Sequence, residues 1–512
     1  MDIKGLVLII FTLLIGCSRR PTEAPPVSGA DHAILRESSS IQMKDIANDA
    51  NDPSNLSDAE PSIAVNPLNP QEIAVVAFSE PWTPAAMAPV WKSRDGGSSW
   101  KKVPQIPHPP APYDSLEGPA DQKITFDAEG KLAVAELGFD PPRNFIYRQE
   151  GGADAPLTPG ASYGDDQPHV VRGNNNGVCT NPLYTTWLKT AVGKARDRSM
   201  DSHSENAGAT LTDVAVGNND TFPNRTTRVA VAPDGKVYVV YKTREGSVNG
   251  DFETAHFRVK RSDDCGMTWN GIGGIQGEPV HGNPSVQTLF TDRFGNLSGK
   301  FDGNQKVARA RSSDAWIAVA PASGDVFVAY VNKDNSGFAQ VYVARSADRG
   351  VSWAAKRATD GTHHSGYPEI SVAGNGTVGV LFIDYDDSGA HAVFRHHFAR
   401  SFDGGGKWDD VILQSMDVSA IDNAATGFLW GDYEGLASAG NYFLVFLPDN
   451  RAIEPLYSWT RSFLRFQRRV KVHFLELSSF RAPATCGVSI TTRSIVPLGF
   501  MLDSANDMAP FA

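Results

Sequence analysis

The chain lacks a basic surplus. Its 512 residues carry 47 Lys and Arg against 58 Asp and Glu, a formal net charge of −11, and so lack the basic face with which a nucleic-acid binder neutralises phosphates. Cysteine is scarce. The four, Cys17, Cys179, Cys265 and Cys486, form neither a metal-ligand pattern nor a dense disulfide framework, and leave room for one disulfide among the last three. Phosphate loop, dinucleotide fingerprint and zinc-protease helix are all absent. Sustained helical periodicity is missing too, and the long apolar run sits at the extreme N-terminus, from Gly5 to Ile15. Length does not set the number of domains, because repeated short strands build single domains of several hundred residues.

What the chain has is strands. Runs such as "RVAVAPDGKVYVVYK", "WIAVAPASGDVFVAYV" and "EISVAGNGTVGVLFIDY" alternate β-branched and small residues around Asp-Gly, Gly-Asp or Asn-Gly pairs. Those pairs supply the positive φ of tight hairpins, so the expected class is all-β. The N-terminal run is too short and too close to the start for a comfortable span and reads as an export signal. Its end, "LLIGC", resembles the lipobox of bacterial lipoproteins. That resemblance implies residues 1–17 as signal peptide, Cys17 as the lipidated mature N-terminus, and anchoring at the cell envelope, in the outer membrane if the cell is Gram-negative. Residues 18–57, rich in Pro, Ala, Ser, Asp and Asn, read as a flexible tether.

An octapeptide Ser-x-Asp-x-Gly-x-x-Trp recurs at 93–100, 262–269, 346–353 and 401–408. It keeps register with a larger unit. Unit starts at Glu60, Thr226, Asp314 and Tyr367 precede the octapeptide aspartates by 35, 38, 34 and 36 residues. Further starts fall near Asp121, Asp166 and Asp432, with a decayed octapeptide expected at "SMDSH", 199–203. Four-stranded units repeated at this length predict a β-propeller of six or seven blades, seven favoured, over residues 58–460. Residues 461–512 are expected to supply a ring-closing strand or a tail.

In each octapeptide the Asp side chain accepts from nearby amides, the Gly turns the chain, and the Trp folds back on the sheet. Copies in four separate blades cannot share one active site, so they are expected to be fasteners, Cys265 merely filling a variable turn position. These octapeptides are Asp boxes, and the chain resembles the BNR-repeat proteins of the sialidase superfamily, marked by Asp95/Trp100, Asp264/Trp269, Asp348/Trp353 and Asp403/Trp408. The resemblance implies a glycan ligand and, for an enzyme, an exo-sialidase chemistry: an arginine triad, an aspartic acid and a tyrosine activated by a glutamate. The family's Arg-Ile-Pro motif is missing; the opening strand reads "EPSIAVNP".

A propeller brings its first strands to one axis, so chemistry is expected at the channel mouth. The catalytic candidates are Asp166, Asp314, Glu369, Tyr433 and Arg311: an aspartate as acid/base, Tyr433 as nucleophile helped by Glu369, Arg311 in a clamp. Glu60, Asp121, Arg228, Tyr367, Trp430 and Asp432 are candidate ligand contacts, five of the unit starts being carboxylates that either converge on the axis or cap their own turns. "DYDDSG" at 384–389 matches half a calcium loop, but Arg395 stands where a bidentate Glu is wanted, and a hairpin turn is expected instead. His363-His364 and His396-His397 point to opposite faces of an extended chain and make no joint metal site. No cofactor is implied, with structural calcium the one metal left open. A non-catalytic interaction platform is the competing reading.

Overall fold

The computed structural model describes residues 42–46, 60–127, 129–173, 179–189, 198–217, 224–245, 254–271, 286–287, 290–291, 297–298, 315–333, 338–386, 388, 393–417, 433–449 and 471–478. All regular structure in these residues is β-strand. The hairpins form where the sequence places its turn residues: Gly376 of Asn-Gly adopts φ 83°, and Ala373 N donates to Thr377 O at 2.9 Å.

Six sheets are antiparallel meanders of four strands. Their first strands are Ser62–Val65, Glu117–Phe126, Asp166–Arg172, Trp316–Val319, His364–Val372 and Gly435–Ala439. Between the third and the fourth of these in chain order lies a sheet of five strands, opened by Asn224–Val231, in which Val286–Gln287 pairs beside the four-strand meander. The favoured expectation of seven four-stranded blades is therefore corrected to six, the other number the repeat allowed. The expected class, an all-β propeller of four-stranded antiparallel blades, is what forms.

The core lies between sheets. Each neighbouring pair shares one apolar cluster, as where Val341 and Val343 meet Ile370, Val380 and Phe382. The last sheet packs on the first through Phe446, Leu444, Ile63, Ile73 and Trp100. Burying such a side chain is worth about 1.5–3 kcal/mol, and closure leaves no long edge exposed.

Closure uses both ends of the described chain. The last sheet runs Gly435–Ala439, Tyr442–Asp449, Lys471–Ser478 and then Gln42–Asp45, whose register pairs Gln42 with Glu476 and Asp45 with His473. Gln42–Asp45 lies inside the stretch read as tether, and a strand within 461–512 completes the ring. Ile46, fully buried, packs into the cluster between the last and first sheets. Four residues of strand in a polar stretch carry too little periodicity to be read locally.

The four octapeptides share one serine-closed turn. In the first, Ser93 Oγ donates to Asp95 Oδ1 at 2.9 Å, Gly97 N donates to Ser93 Oγ at 2.8 Å, Ser99 N donates to Asp95 Oδ1 at 2.7 Å, and Trp100 Nε1 donates to Gly97 O at 3.0 Å. A fifth copy of this turn stands at 204–211, not at 199–203, which is strand. There Gly208 N donates to Ser204 Oγ at 2.8 Å and Thr210 N donates to Asn206 Oδ1 at 2.9 Å. Asn replaces Asp and Leu211 replaces Trp, which hid it. The fourth position of the box takes positive φ even without glycine: 59° at Ala207, 62° at Cys265 and 62° at Arg349. Cys265 also does more than fill a turn: it forms a disulfide with Cys179, joining two neighbouring sheets.

Candidate functional site

The first strands line the channel, and their backbones share an irregularity. Glu60, Asp121, Gln167 and Tyr367 are non-glycine residues at φ 53°, 45°, 47° and 63°, all in one register of the repeat. Pairing shifts there as well, between Ala120 and Lys123, Asp166 and His169, Arg225 and Arg228, and Gly366 and Glu369. A bulge bends a strand and re-aims side chains, and left-handed non-glycine backbone costs on the order of 1–3 kcal/mol per residue. The residues that follow these irregularities, Ser62, Lys123, His169, Arg228 and Glu369, belong to a layer around the axis together with Trp316 and Glu434. All but Arg228 line a cavity of about 400 Å³ within the channel, which ends near the buried Arg172–Asp127 ion pair at 2.8 Å.

The layer alternates charge and aromatic surface. Lys123 Nζ lies 3.2 Å from the centroid of the Tyr433 ring and 4.7 Å from that of Trp316. Arg228 Cζ stands 4.6 Å from the Trp316 ring, and the His169 ring meets Trp316 edge-on at 5.5 Å. Cations over aromatic faces are favoured in desolvated sites. Glu369 accepts from Glu434 N at 3.1 Å and Leu436 N at 3.0 Å, while Glu434 is bonded to His396 Nε2 at 2.5 Å.

Enclosure sets the protonation. Burial, opposed in part by Glu369, pushes Lys123 down to about 7. Burial, opposed in part by Lys123, pushes Glu369 up to about 8. His169 is held well below its ordinary value by burial and then by Arg228 and Lys123. Tyr433 is driven well above its ordinary value by burial, then by Glu60 and Asp121, with Arg228 opposing.

The structure brings Glu60, Asp121, Arg228, Glu369 and Tyr433 to the channel. It separates others. Asp166 binds its own backbone, accepting from Gln167 N at 2.9 Å, and Gln167 instead holds the left-handed position, so the unit start expected at Asp166 is corrected by one residue. Tyr367 packs into the core between the sheets opened by Trp316 and His364, not into the mouth. Tyr433 couples to Glu60 and Asp121, whereas Glu369, its expected helper, is engaged by two backbone amides. Asp314, Arg311, Trp430, Asp432, Cys17 and Cys486 lie outside the described residues.

Lys123, His169, Trp316 and Glu434 were missed by reasoning from unit starts. Their common offset along the repeat is the signal that reveals them. Among the described residues no group of three His, Cys, Asp or Glu is arranged to hold a metal ion. At the half calcium loop, Asp384 is bound twice by Arg395, whose Nε and Nη2 both lie 2.8 Å from its oxygens, and Asp386 accepts from Ser388 Oγ at 2.6 Å. The cation there is the protein's own arginine.

No family model matches the chain, and no curated protein sequence matches it. Among solved structures it is similar to an ulvan lyase of a polysaccharide lyase family (TM-score 0.48, 11% identity, 84% of this chain and 96% of that one). A protein of unknown function from Dyadobacter fermentans gives TM-score 0.43 at 12% identity over 85% of this chain and 97% of that one. A Hadza microbial sialidase gives 0.39 at 13% identity over 80% and 73%. Likenesses at this level carry no activity across.

Proposed function

We propose that this chain is a glycan-active propeller of the cell envelope, anchored through a lipid on Cys17, whose channel mouth binds and hydrolyses a glycan. One observation supports the reading most: a tyrosine, Tyr433, is set beside two carboxylates, Glu60 and Asp121, next to an arginine, Arg228, and an indole, Trp316. In this reading Tyr433 is the nucleophile and Glu60 the base that takes its proton. Asp121 protonates the leaving oxygen, Arg228 holds a substrate anion and Trp316 stacks on a sugar face. Glu60 thereby takes the part first given to Glu369, and Asp121 the part first given to Asp166. The Cys179–Cys265 disulfide fits the oxidising side of a membrane, where an exported chain resides.

A second reading, binding without turnover, is favoured by the rise of the Tyr433 hydroxyl well above its ordinary value, the opposite of a preactivated nucleophile. The test assays the purified chain on fluorogenic sialosides and neutral glycosides beside Tyr433→Phe and Glu60→Gln. Hydrolysis predicts turnover that falls at least about 10²-fold in both variants. Binding alone predicts no turnover on any substrate with glycan affinity that depends on Trp316. Replacing Cys17 with Ser releases the protein from the membrane fraction if the lipid is the anchor; unchanged anchoring contradicts it.

A further inference from the structure

We propose that Lys123, which lines the channel cavity, is a carbonyl-capturing amine: its Nζ has no hydrogen-bond or ion-pair partner among the described residues, and condenses with a small aldehyde, such as an open-chain aldose, to form an imine. The inference stands apart from the glycan reading and uses a group to which that reading gives no role.

Buried lysines elsewhere in the chain have found acceptors. Lys92 Nζ donates to Ala153 O, and Lys260 Nζ donates to Val216 O. Lys123, 4% exposed, lies over the ring faces of Tyr433 and Trp316. Glu369 is held by the amides of Glu434 and Leu436, and Glu434 Oε1 by His396. Arg228, stacked on the same Trp316, adds a positive charge. An amine that is desolvated and placed beside another cation loses its proton readily and becomes nucleophilic at neutral pH. Burial outweighs the attraction of Glu369, Glu60 and Asp121, so that Lys123 titrates near 7; among the described residues His169, Glu434 and Tyr433 are further titratable groups beside it.

The step balances without an oxidant. The Nζ lone pair attacks the carbonyl carbon, the π pair moves to oxygen, and a proton passes from nitrogen to that oxygen, giving a carbinolamine. Glu369, a carboxylic acid below about pH 8, protonates the departing hydroxyl, and water leaves as the C=N bond forms. The carboxylate then recovers its proton from the iminium nitrogen.

The test incubates the full chain with acetaldehyde and sodium cyanoborohydride, which delivers hydride to the imine and leaves a secondary amine, followed by peptide mapping. Near pH 7 an amine titrating at 7 holds about 10³ times more free base than an exposed lysine near 10.4. Lys123 is accordingly expected to label at least ten times faster than any other lysine, with a rate that levels above pH 7 while surface lysines keep accelerating. In Lys123→Arg the labelled peptide disappears and the surface pattern stays. Labelling confined to surface lysines, or a Lys123 rate that climbs steadily to pH 10, overturns the proposal. Mapping the unmodified chain needs no variant to fold, and a failure of glycoside turnover leaves its outcome unaffected.

Discussion

Single side chains divide here into those that hold the ring and those that face the channel. Trp100, buried at 8% exposure, packs between the last and first sheets, whereas Trp353 is half-buried against its own cluster. Trp100→Ala is expected to cost about 3–5 kcal/mol in denaturant unfolding, and Trp353→Ala less. Equal costs would mean that burial does not set the effect. The channel was only partly legible at this scale. Glu60, Asp121 and Arg228 stand out as charges in register, but a lysine inside "DQKITF" reads as an exposed strand residue until a bulge turns it inward. Asp166 misleads for a related reason, since one residue of shift separates the side chain that caps a turn from the one that meets the axis.

Strands and turns were legible where they repeat and obscure where they do not. The four Trp-bearing boxes announce themselves; the box at 204–211 keeps the hydrogen bonds while losing both signature residues, because an amide oxygen accepts as a carboxylate does. The strand Val393–Ser401 carries a network that composition does not reveal: His397 bonds Asp410 at 2.7 Å and approaches Asp384 at 3.2 Å, which Arg395 also holds. Burial works against charge on His397, yet the bonds to Asp384 and Asp410 together raise it from 6.5 to about 9. A raised folded value stabilises the protein fully below pH 6.5 and is lost as pH rises through 9. The stability difference between wild type and His397→Gln should therefore shrink across that window; a constant difference contradicts the pairing. The Cys179–Cys265 bridge spans 86 residues, and Cys179→Ser should cost about 2–5 kcal/mol, read from the same unfolding curves. No change in the midpoint would show that the bridge does not form.

The described sheets close into a ring whose seal the sequence half conceals. The repeat specifies the meanders, but Gln42–Asp45 pairs with a strand more than 400 residues away, and no local pattern encodes that. Ile46→Ala should cost about 2–5 kcal/mol, and deletion of residues 1–46 should lower the melting temperature where deletion of 1–40 does not. Equal behaviour of the two deletions would detach that strand from the ring. The central claim is that ligand chemistry belongs to the channel and not to the repeated boxes. The most direct measurement compares Tyr433→Phe with Trp353→Ala for melting temperature and for turnover or affinity on the best glycan found. The account predicts that Tyr433→Phe loses function with its melting temperature kept, and that Trp353→Ala melts earlier while the folded fraction keeps its function. Function lost in Trp353→Ala at unchanged stability, and kept in Tyr433→Phe, would place the chemistry at the boxes.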